Sequence, residues 1–182
     1  MKEISKSNNL EDFKITSLFQ EFWELKTKEA KALLDMVPEK PKATLEQILK
    51  AKTGIEIVKT DFADFFLVNN KPVLVKTGKG IFPTLVFTEF ILSAPKVVVD
   101  MGAIPHVCSG ADVMAPGIVS FEGKFESGEL VIVVDEKHHK PIAIGEASCD
   151  SDAAKSVAKG IVVKNIHFVG DKTWNFVKKL ET

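Results

Sequence analysis

Three short groups of residues have types and spacings that could do chemistry. His106 and Cys108 could act as a base and a nucleophile, but residues two apart on a helix do not share a face, and nothing nearby would orient the imidazole. His138-His139 could bind a metal ion, yet they lie in a polar run typical of a solvated turn. Gly78-Lys79-Gly80 lacks the Lys-Ser/Thr pair of a phosphate loop. The sequence therefore predicts no catalytic group, no metal site and no cofactor.

Residues 99–117 carry a glycine pattern that regular strand or helix spacing does not produce. Gly102 follows a Val-rich run, where a residue without Cβ lets the chain turn tightly or lie close to another group. A short helix fits residues 103–108, with Gly110 just past its end. Gly117 marks a second turn. The pattern predicts a strand, a turn, a short helix and a second strand.

The elements that must position this stretch follow from apolar spacing and turn signals. Helices are predicted at residues 17–37, from a capping box at Thr44 to near Gly54, at 84–92, at 103–108, and from the cap at 150–152 through Ala158 to Gly160. Strands are predicted at residues 55–59, 65–68, 73–76, 97–99, 130–134, 142–147, 161–163 and 169–177. Several short strands joined by turns predict a barrel in the second half.

Two domains are predicted, at residues 1–95 and 96–182. A chain of 182 residues with 45% hydrophobic residues is long enough for one domain or two small ones. Proline and small residues at 93–96 interrupt the pattern just before a Val-rich strand, which favours a boundary there.

The charge is nearly balanced, so a nucleic-acid site would have to be a local patch. The formal net charge is −1, and residues 97–182 hold 9 Lys against 12 acidic residues. All 24 basic residues are Lys. Lysine meets phosphate as a point charge and cannot read guanine edges with a planar fork, so contacts to a nucleic-acid backbone are expected. Trp23 and Trp174 could stack on bases, but core packing is the favoured interpretation.

Cysteine usage and hydropathy indicate a cytoplasmic protein. Cys108 and Cys149 form no CxxC motif and no metal-ligand spacing. No apolar leader follows Met1, and no apolar run approaches the length of about 18 residues that spans a membrane. We expect no membrane partner.

The glycine-containing stretch resembles the opening of a PUA domain, a small β-barrel that binds RNA. The resemblance continues at Gly145, at Lys159-Gly160 and at Asn165-Ile166-His167. Together with Val68-Asn69-Asn70-Lys71-Pro72 and Phe82-Pro83-Thr84-Leu85, the chain resembles the malignant-T-cell-amplified-sequence family of translation factors and their ligatin relatives. The resemblance implies an α+β protein in which an N-terminal α/β pre-PUA domain precedes a PUA pseudo-barrel.

The same resemblance implies a function and a site. The protein would be non-catalytic and would bind RNA, either tRNA or small-subunit rRNA, and not DNA; its relatives work with a protein of the translation-initiation-factor-one type. The implied RNA-binding residues are Met101, Gly102, Ala103, His106, Ser109, Gly110, Asp112, Pro116, Gly117, Lys159, Gly160 and His167. For His167 a structural hydrogen-bonded role is an equal alternative.

Two alternative functions remain open from the sequence. One is an accessory subunit that guides an enzyme of RNA modification, for pseudouridylation or base exchange, because the same module is often fused to such enzymes. The other is an enzyme acting on a small molecule, for which the sequence offers no constellation of polar groups.

Overall fold

The computed structural model describes residues 21–50 and 54–180, which form two units divided between Phe82 and Pro83. The elements of the first unit are β1 (Glu21–Glu24), α1 (Thr27–Met36), α2 (Glu39–Leu49), β2 (Glu56–Lys59), β3 (Asp64–Val68), β4 (Lys71–Thr77) and β5 (Gly80–Pro83). The domain boundary expected between residues 95 and 96 stays a prediction.

The first unit contains a five-stranded sheet in which every strand lies beside its neighbour in sequence, in the order β1-β2-β3-β4-β5. The β3-β4 hairpin turns at Asn69 and Asn70, whose φ angles are 51° and 62°. Two consecutive positive φ angles match the twist of a two-residue hairpin, and asparagine tolerates them better than most residues. The predicted turn is confirmed.

The second unit contains the glycine-containing stretch. Its elements are α3 (Thr88–Ser93), β6 (Lys96–Val99), α4 (Ile104–Val107), β7 (Val113–Met114), β8 (Ile118–Glu122), β9 (Leu130–Asp135), β10 (Pro141–Ala147), α5 (Ser151–Ala154), β11 (Ile161–Phe168) and α6 (Lys172–Leu180). The six strands form one sheet in the order β7-β11-β10-β9-β6-β8.

This sheet is strongly curled. Its two edge strands, β7 and β8, are consecutive in the chain and are separated only by a 3₁₀ turn at Ala115–Gly117. Opposite edges joined by three residues require a sheet that curls strongly, which is the predicted pseudo-barrel. β-branched side chains fill it: Val97, Val99, Val131, Val133, Val162 and Val163 belong to one buried cluster.

The first predicted helix is wrong in its N-terminal part. Glu21–Glu24 form strand β1, which pairs antiparallel with β2, and helix α1 begins only at Thr27. Residues 17–20 of that prediction lie outside the described residues. The spacing of apolar residues carries no information about main-chain pairing with a strand more than thirty residues away, so it could not predict β1.

The capping box predicted at Thr44 is also wrong. Helix α2 already begins at Glu39, so Thr44 lies inside it, and its hydroxyl donates to the main-chain oxygen of Lys40 at 3.2 Å. The helix ends at Leu49 and does not extend toward Gly54. The Thr-x-x-Gln pattern of a capping box can also occur in the interior of a helix. Here the helix begins before Thr44, so the pattern is an interior one.

The strand predicted at residues 169–177 is a helix, α6. The Oδ1 atom of Asp171 accepts the N–H of Trp174 at 2.7 Å and caps the first turn. Thr173, Phe176 and Val177 are buried at a spacing of three and four residues, which is the period of a helix.

Two other helices are shorter than predicted. Helix α3 covers only Thr88–Ser93, and α5 covers only Ser151–Ala154. The cap at Asp150 is confirmed, because its side chain accepts the N–H groups of Asp152 and Ala153.

Candidate nucleic-acid interface

Asp100 shapes the turn that leaves β6. Its main-chain N–H donates to the oxygen of Gly117 at 3.0 Å, and its Oδ1 accepts the N–H of Ala103 at 2.8 Å. A Cβ on Gly102 would lie 3.2 Å from the same Oδ1, and one on Gly117 would lie 3.1 Å from the Cβ of Ala103. Gly102 therefore leaves room for the Asp100 carboxylate within its own turn, and Gly117 lets the second turn lie against Ala103; neither glycine has a positive φ.

The connection between β9 and β10 also contacts this turn, through the carboxylate of Glu136. Asp135 accepts three backbone N–H groups from residues 137–140 at 2.6–3.1 Å. Burial raises the pKa of Asp135, but these hydrogen bonds outweigh it and hold the pKa below its usual value. The connection places Oε1 of Glu136 3.0 Å from the N–H of Met101. Because carboxylates already bind the N–H groups of Met101 and Ala103, the turn offers an anion fewer donors than its glycines suggest.

The β9-β10 connection also settles the interpretation of His138 and His139. Both side chains are exposed, and His139 has a φ of 51° in the turn. The predicted solvated turn is confirmed. Across residues 21–50 and 54–180, no three His, Cys, Asp or Glu side chains cluster as metal ligands would.

Helix α4 carries His106 on its exposed side and ends in a loop shaped by Ser109 and Gly110. The Ser109 hydroxyl donates to the main-chain oxygen of His106 at 2.8 Å. Gly110 has a φ of 94°, and a Cβ there would lie 3.1 Å from the ring of Phe168. Both its backbone angle and the nearby ring require glycine at position 110.

Asp112 and Asn165 tie this loop to strand β11. Asp112 Oδ1 accepts the N–H of Asn165 at 2.9 Å, and the Asn165 amide donates to the oxygens of Val107 and Ala111 at 3.0 Å each. Asn165 thus fixes both the end of α4 and the loop after it. Asn165 is not among the predicted site residues, although asparagine is depleted in strands and one inside an apolar run is a signal of specific hydrogen bonding.

The edge formed by β7 and β11 completes the surface. Met114 lies opposite Ile161, and these apolar side chains are 48% and 46% exposed. Next to them, the N–H of Ala115 donates to the oxygen of Gly160 at 2.9 Å, which places the exposed Lys159 beside the same edge.

These contacts define one continuous face, which we call the α4-β7 surface. Its exposed residues are Met101, Gly102, His106, Ser109, Gly110, Asp112, Met114, Pro116, Lys159 and Ile161. Three other predicted site residues, Ala103, Gly117 and Gly160, are half-buried and support it through the main chain. The structure thus brings together predicted site residues from the turn after β6, from α4 and the loop after it, from the turn after β7 and from the segment before β11. Met114 and Ile161 were not predicted and lie beside them.

His167 does not belong to this surface, which corrects the prediction that it contacts RNA. Its side chain is 0% exposed, and its Nδ1 lies 2.7 Å from Oδ2 of Asp171. Burial raises the pKa of Asp171, but the contact with His167 and two backbone N–H groups outweigh it and hold the pKa low. His167 thus has the structural, hydrogen-bonded role that the sequence analysis allowed as an alternative to RNA contact.

The other residues considered for chemistry or for base stacking, Cys108 and the two tryptophans, are not part of the α4-β7 surface as defined. Burial raises the pKa of the Cys108 thiol, which disfavours the nucleophilic thiolate. Trp174 is half-buried in α6, with Lys178 Nζ 5.5 Å from its ring centre, and the Trp23 side chain lies outside the described part of the structure. Within residues 21–50 and 54–180, no helix is long and apolar enough to span a membrane.

Comparison with known families defines the class of protein. The PUA domain family matches residues 95–169, and the family described as domain of unknown function DUF1947 matches residues 23–89. The chain is therefore an α+β protein in which a DUF1947 (pre-PUA) domain is followed by a PUA domain.

Individual relatives identify the family within that class. The chain is 41% identical over 133 residues to an uncharacterised protein of Methanocaldococcus jannaschii, which covers 72% of this chain and 82% of the relative. It is 31% identical over 140 residues to translation machinery-associated protein 20 of Saccharomyces cerevisiae, covering 72% and 77%. The malignant T-cell-amplified sequence 1 protein of Danio rerio is 30% identical over 137 residues, covering 72% and 76%. The chain belongs to the family of these proteins.

A solved structure agrees with the fold. The PUA domain protein of Aeropyrum pernix K1, crystallised with tartrate, superposes with a TM-score of 0.71 at 26% identity, covering 89% of this chain and 93% of that one. The expected fold class, with a pre-PUA domain followed by a PUA pseudo-barrel, is confirmed.

Proposed function

We propose that this chain is a non-catalytic RNA-binding protein of translation and that its α4-β7 surface contacts tRNA or small-subunit rRNA. The observation that carries the proposal is the continuity of that surface, which lies wholly within the residues matched by the PUA domain. The names of its relatives, translation machinery-associated protein 20 among them, support a role in translation.

The chemistry of the surface suits RNA better than a small substrate. It combines an exposed imidazole at His106, a lysine at Lys159 and apolar side chains at Met101, Met114 and Ile161. Apolar and imidazole groups can pack against unstacked bases, whereas the lysine meets phosphate. Asn165 and Asp112 hold the loop in place, so little loop ordering would oppose binding.

The test is binding of the purified full chain to small ribosomal subunits and to bulk tRNA over a salt series. His106→Glu and Lys159→Glu place negative charge on the surface, and the matched control is Lys124→Glu. Lys124 is exposed just beyond Glu122, which pairs with Lys96 at the end of β6 away from the Gly102 turn. We expect affinity that falls with salt and weakens about tenfold or more in the two surface variants, because each reverses or adds charge facing phosphate. Absence of binding to both RNAs, or equal loss in the control, would contradict the proposal.

The partner and the cellular site are part of the same proposal. A protein that binds ribosomal or transfer RNA would act in the cytoplasm, and the family resemblance favours a separate partner of the translation-initiation-factor-one type. Affinity capture of the full chain with such a protein, with and without small subunits, tests that partner.

A further inference from the structure

Helix α6 lies beyond residue 169, where the match to the PUA domain ends. Its buried residues Thr173, Phe176 and Val177 lie on one side. At about 100° per residue, its exposed residues fall within a sector of about 120° on the other side. These exposed residues are Lys172, Asn175, Lys178 and Lys179.

The exposed face of α6 is entirely basic or neutral, since the helix contains no acidic residue. Within residues 21–50 and 54–180, no carboxylate forms an ion pair with Lys172 or Lys179. Lysines in a last turn stabilise a helix through its dipole, but Lys172 is the first residue of α6, where a positive charge is unfavourable. Stabilisation of the helix through its dipole therefore does not account for all three exposed lysines of α6.

The start of α6 is fixed to the end of β11, which also contacts the loop after α4. Asp171 Oδ2 accepts the N–H of Phe168 at 3.1 Å and contacts Nδ1 of the buried His167 at 2.7 Å. The Phe168 ring in turn lies against Gly110 at the end of the α4 loop. Lys172 follows Asp171 directly, so the basic face begins four residues after Phe168, whose ring contacts this loop.

The α4-β7 surface itself supplies few cations for a polyanion. Lys159 is its lysine, and the nearby Lys164 has its Nζ 4.0 Å from Oε1 of Glu146. Three carboxylates, those of Asp100, Asp112 and Glu136, lie at or beside the surface. An RNA backbone passing over this surface would need positive charge from a neighbouring element.

We infer that the exposed lysines of α6 extend the α4-β7 surface and bind the phosphate backbone of the same RNA. The inference rests on the proposed function. Lysine ammonium groups spread along about 10 Å of helix would contact successive phosphates without reading sequence. This helix would set the affinity and its salt dependence, and the α4-β7 surface would provide the other contacts.

The experiment compares Lys172→Gln, Lys179→Gln and the double variant with Lys124→Gln in the full chain. Dissociation constants for small ribosomal subunits and for bulk tRNA are measured across a salt series. Each α6 substitution should lower the slope of log K against log salt by about 0.7–0.9, because one phosphate contact is lost. Lys172→Arg and Lys179→Arg, which keep the charge, should retain the wild-type slope, and so should Lys124→Gln.

The outcomes separate the two proposals. If the wild type binds, and Lys159→Glu weakens binding while the double α6 variant keeps the full slope, the inference about α6 is overturned and the proposed function stands. If the wild type binds neither RNA, both are overturned. A reduced slope with one probe only supports the inference and tells which RNA lies on α6. Glutamine is a good helix former, and circular dichroism verifies that the variants keep the wild-type helix content.

Discussion

The backbone N–H of Asn165 in β11 donates to the carboxylate of Asp112, 53 residues earlier in the chain, at 2.9 Å. With the two bonds from the Asn165 amide to Val107 and Ala111, this contact joins the loop after α4 to strand β11 of the curled sheet. The loop that carries much of the candidate interface is thus held by a strand that contributes almost nothing to its exposed face.

Asn165→Leu should lower the free energy of unfolding by about 2 kcal/mol, because two hydrogen bonds are lost and two carbonyls lose their donor. The same variant should weaken RNA binding, since the loop of the α4-β7 surface is released. Urea unfolding and RNA titration measure the two effects. For the unfolding measurement the control is Asn175→Leu, because Asn175 is exposed in α6 and its side-chain amide donates to the oxygen of Gly170, at 3.0 Å. Equal effects of the two substitutions would contradict the role given to Asn165.

Local signals predicted the features of the fold and of the interface that depend on nearby residues. The glycines at 102 and 117 marked the two turns, Asp150 marked a helix start, and Asn69 marked a hairpin, because each residue type acts within its own turn. The run of valines at 97–99 likewise predicted the buried strand β6.

Contacts between distant segments could not be predicted in this way. Glu136 reaches Met101 across 35 residues, and Asn165 reaches Ala111 across 54. No periodicity encodes such pairs, because they depend on how the sheet curls. The prediction of a strand at residues 169–177 failed for another reason. The few apolar residues of this segment fit either a strand or a helix, and the cap supplied by Asp171 favours the helix.

Gly110 and Gly160 provide a matched pair that separates backbone strain from crowding. Both have positive φ, 94° and 110°, but only Gly110 faces a ring, that of Phe168. Gly160→Ala should cost about 1–3 kcal/mol from strain alone. Gly110→Ala should cost more, and the extra loss should shrink in a Phe168→Leu background. Chemical denaturation of the four variants tests this; equal costs for the two glycines would show that the ring does not constrain the loop.

Gly145 lies where the register of β10 against β11 shifts, and a Cβ there would contact the Val163 side chain and lie 2.6 Å from the oxygen of Lys164. Gly145→Ala should therefore destabilise the second unit by about 3 kcal/mol, because the strands must separate to admit the methyl group. Gly78→Ala is the control, since nothing lies within 4 Å of a Cβ at that position. Thermal unfolding measures both, and a change below about 0.5 kcal/mol for Gly145→Ala would contradict the close approach of these strands.

The pair of His167 and Asp171 makes stability depend on pH at the acidic end. The folded-state pKa of Asp171 is lowered, so its carboxylate stabilises the fold above the unfolded-state pKa of about 3.9. That contribution is lost as pH falls from there through the lower folded-state pKa. Asp171→Asn should reduce the free energy of unfolding at pH 7 by about 1–2 kcal/mol, and the difference from wild type should shrink below about pH 4. Urea unfolding at pH 7, 5, 4 and 3 measures it, with the exposed Glu126→Gln as control. A difference that stays constant down to pH 3 would show that the charge of Asp171 does not contribute to its contact with His167.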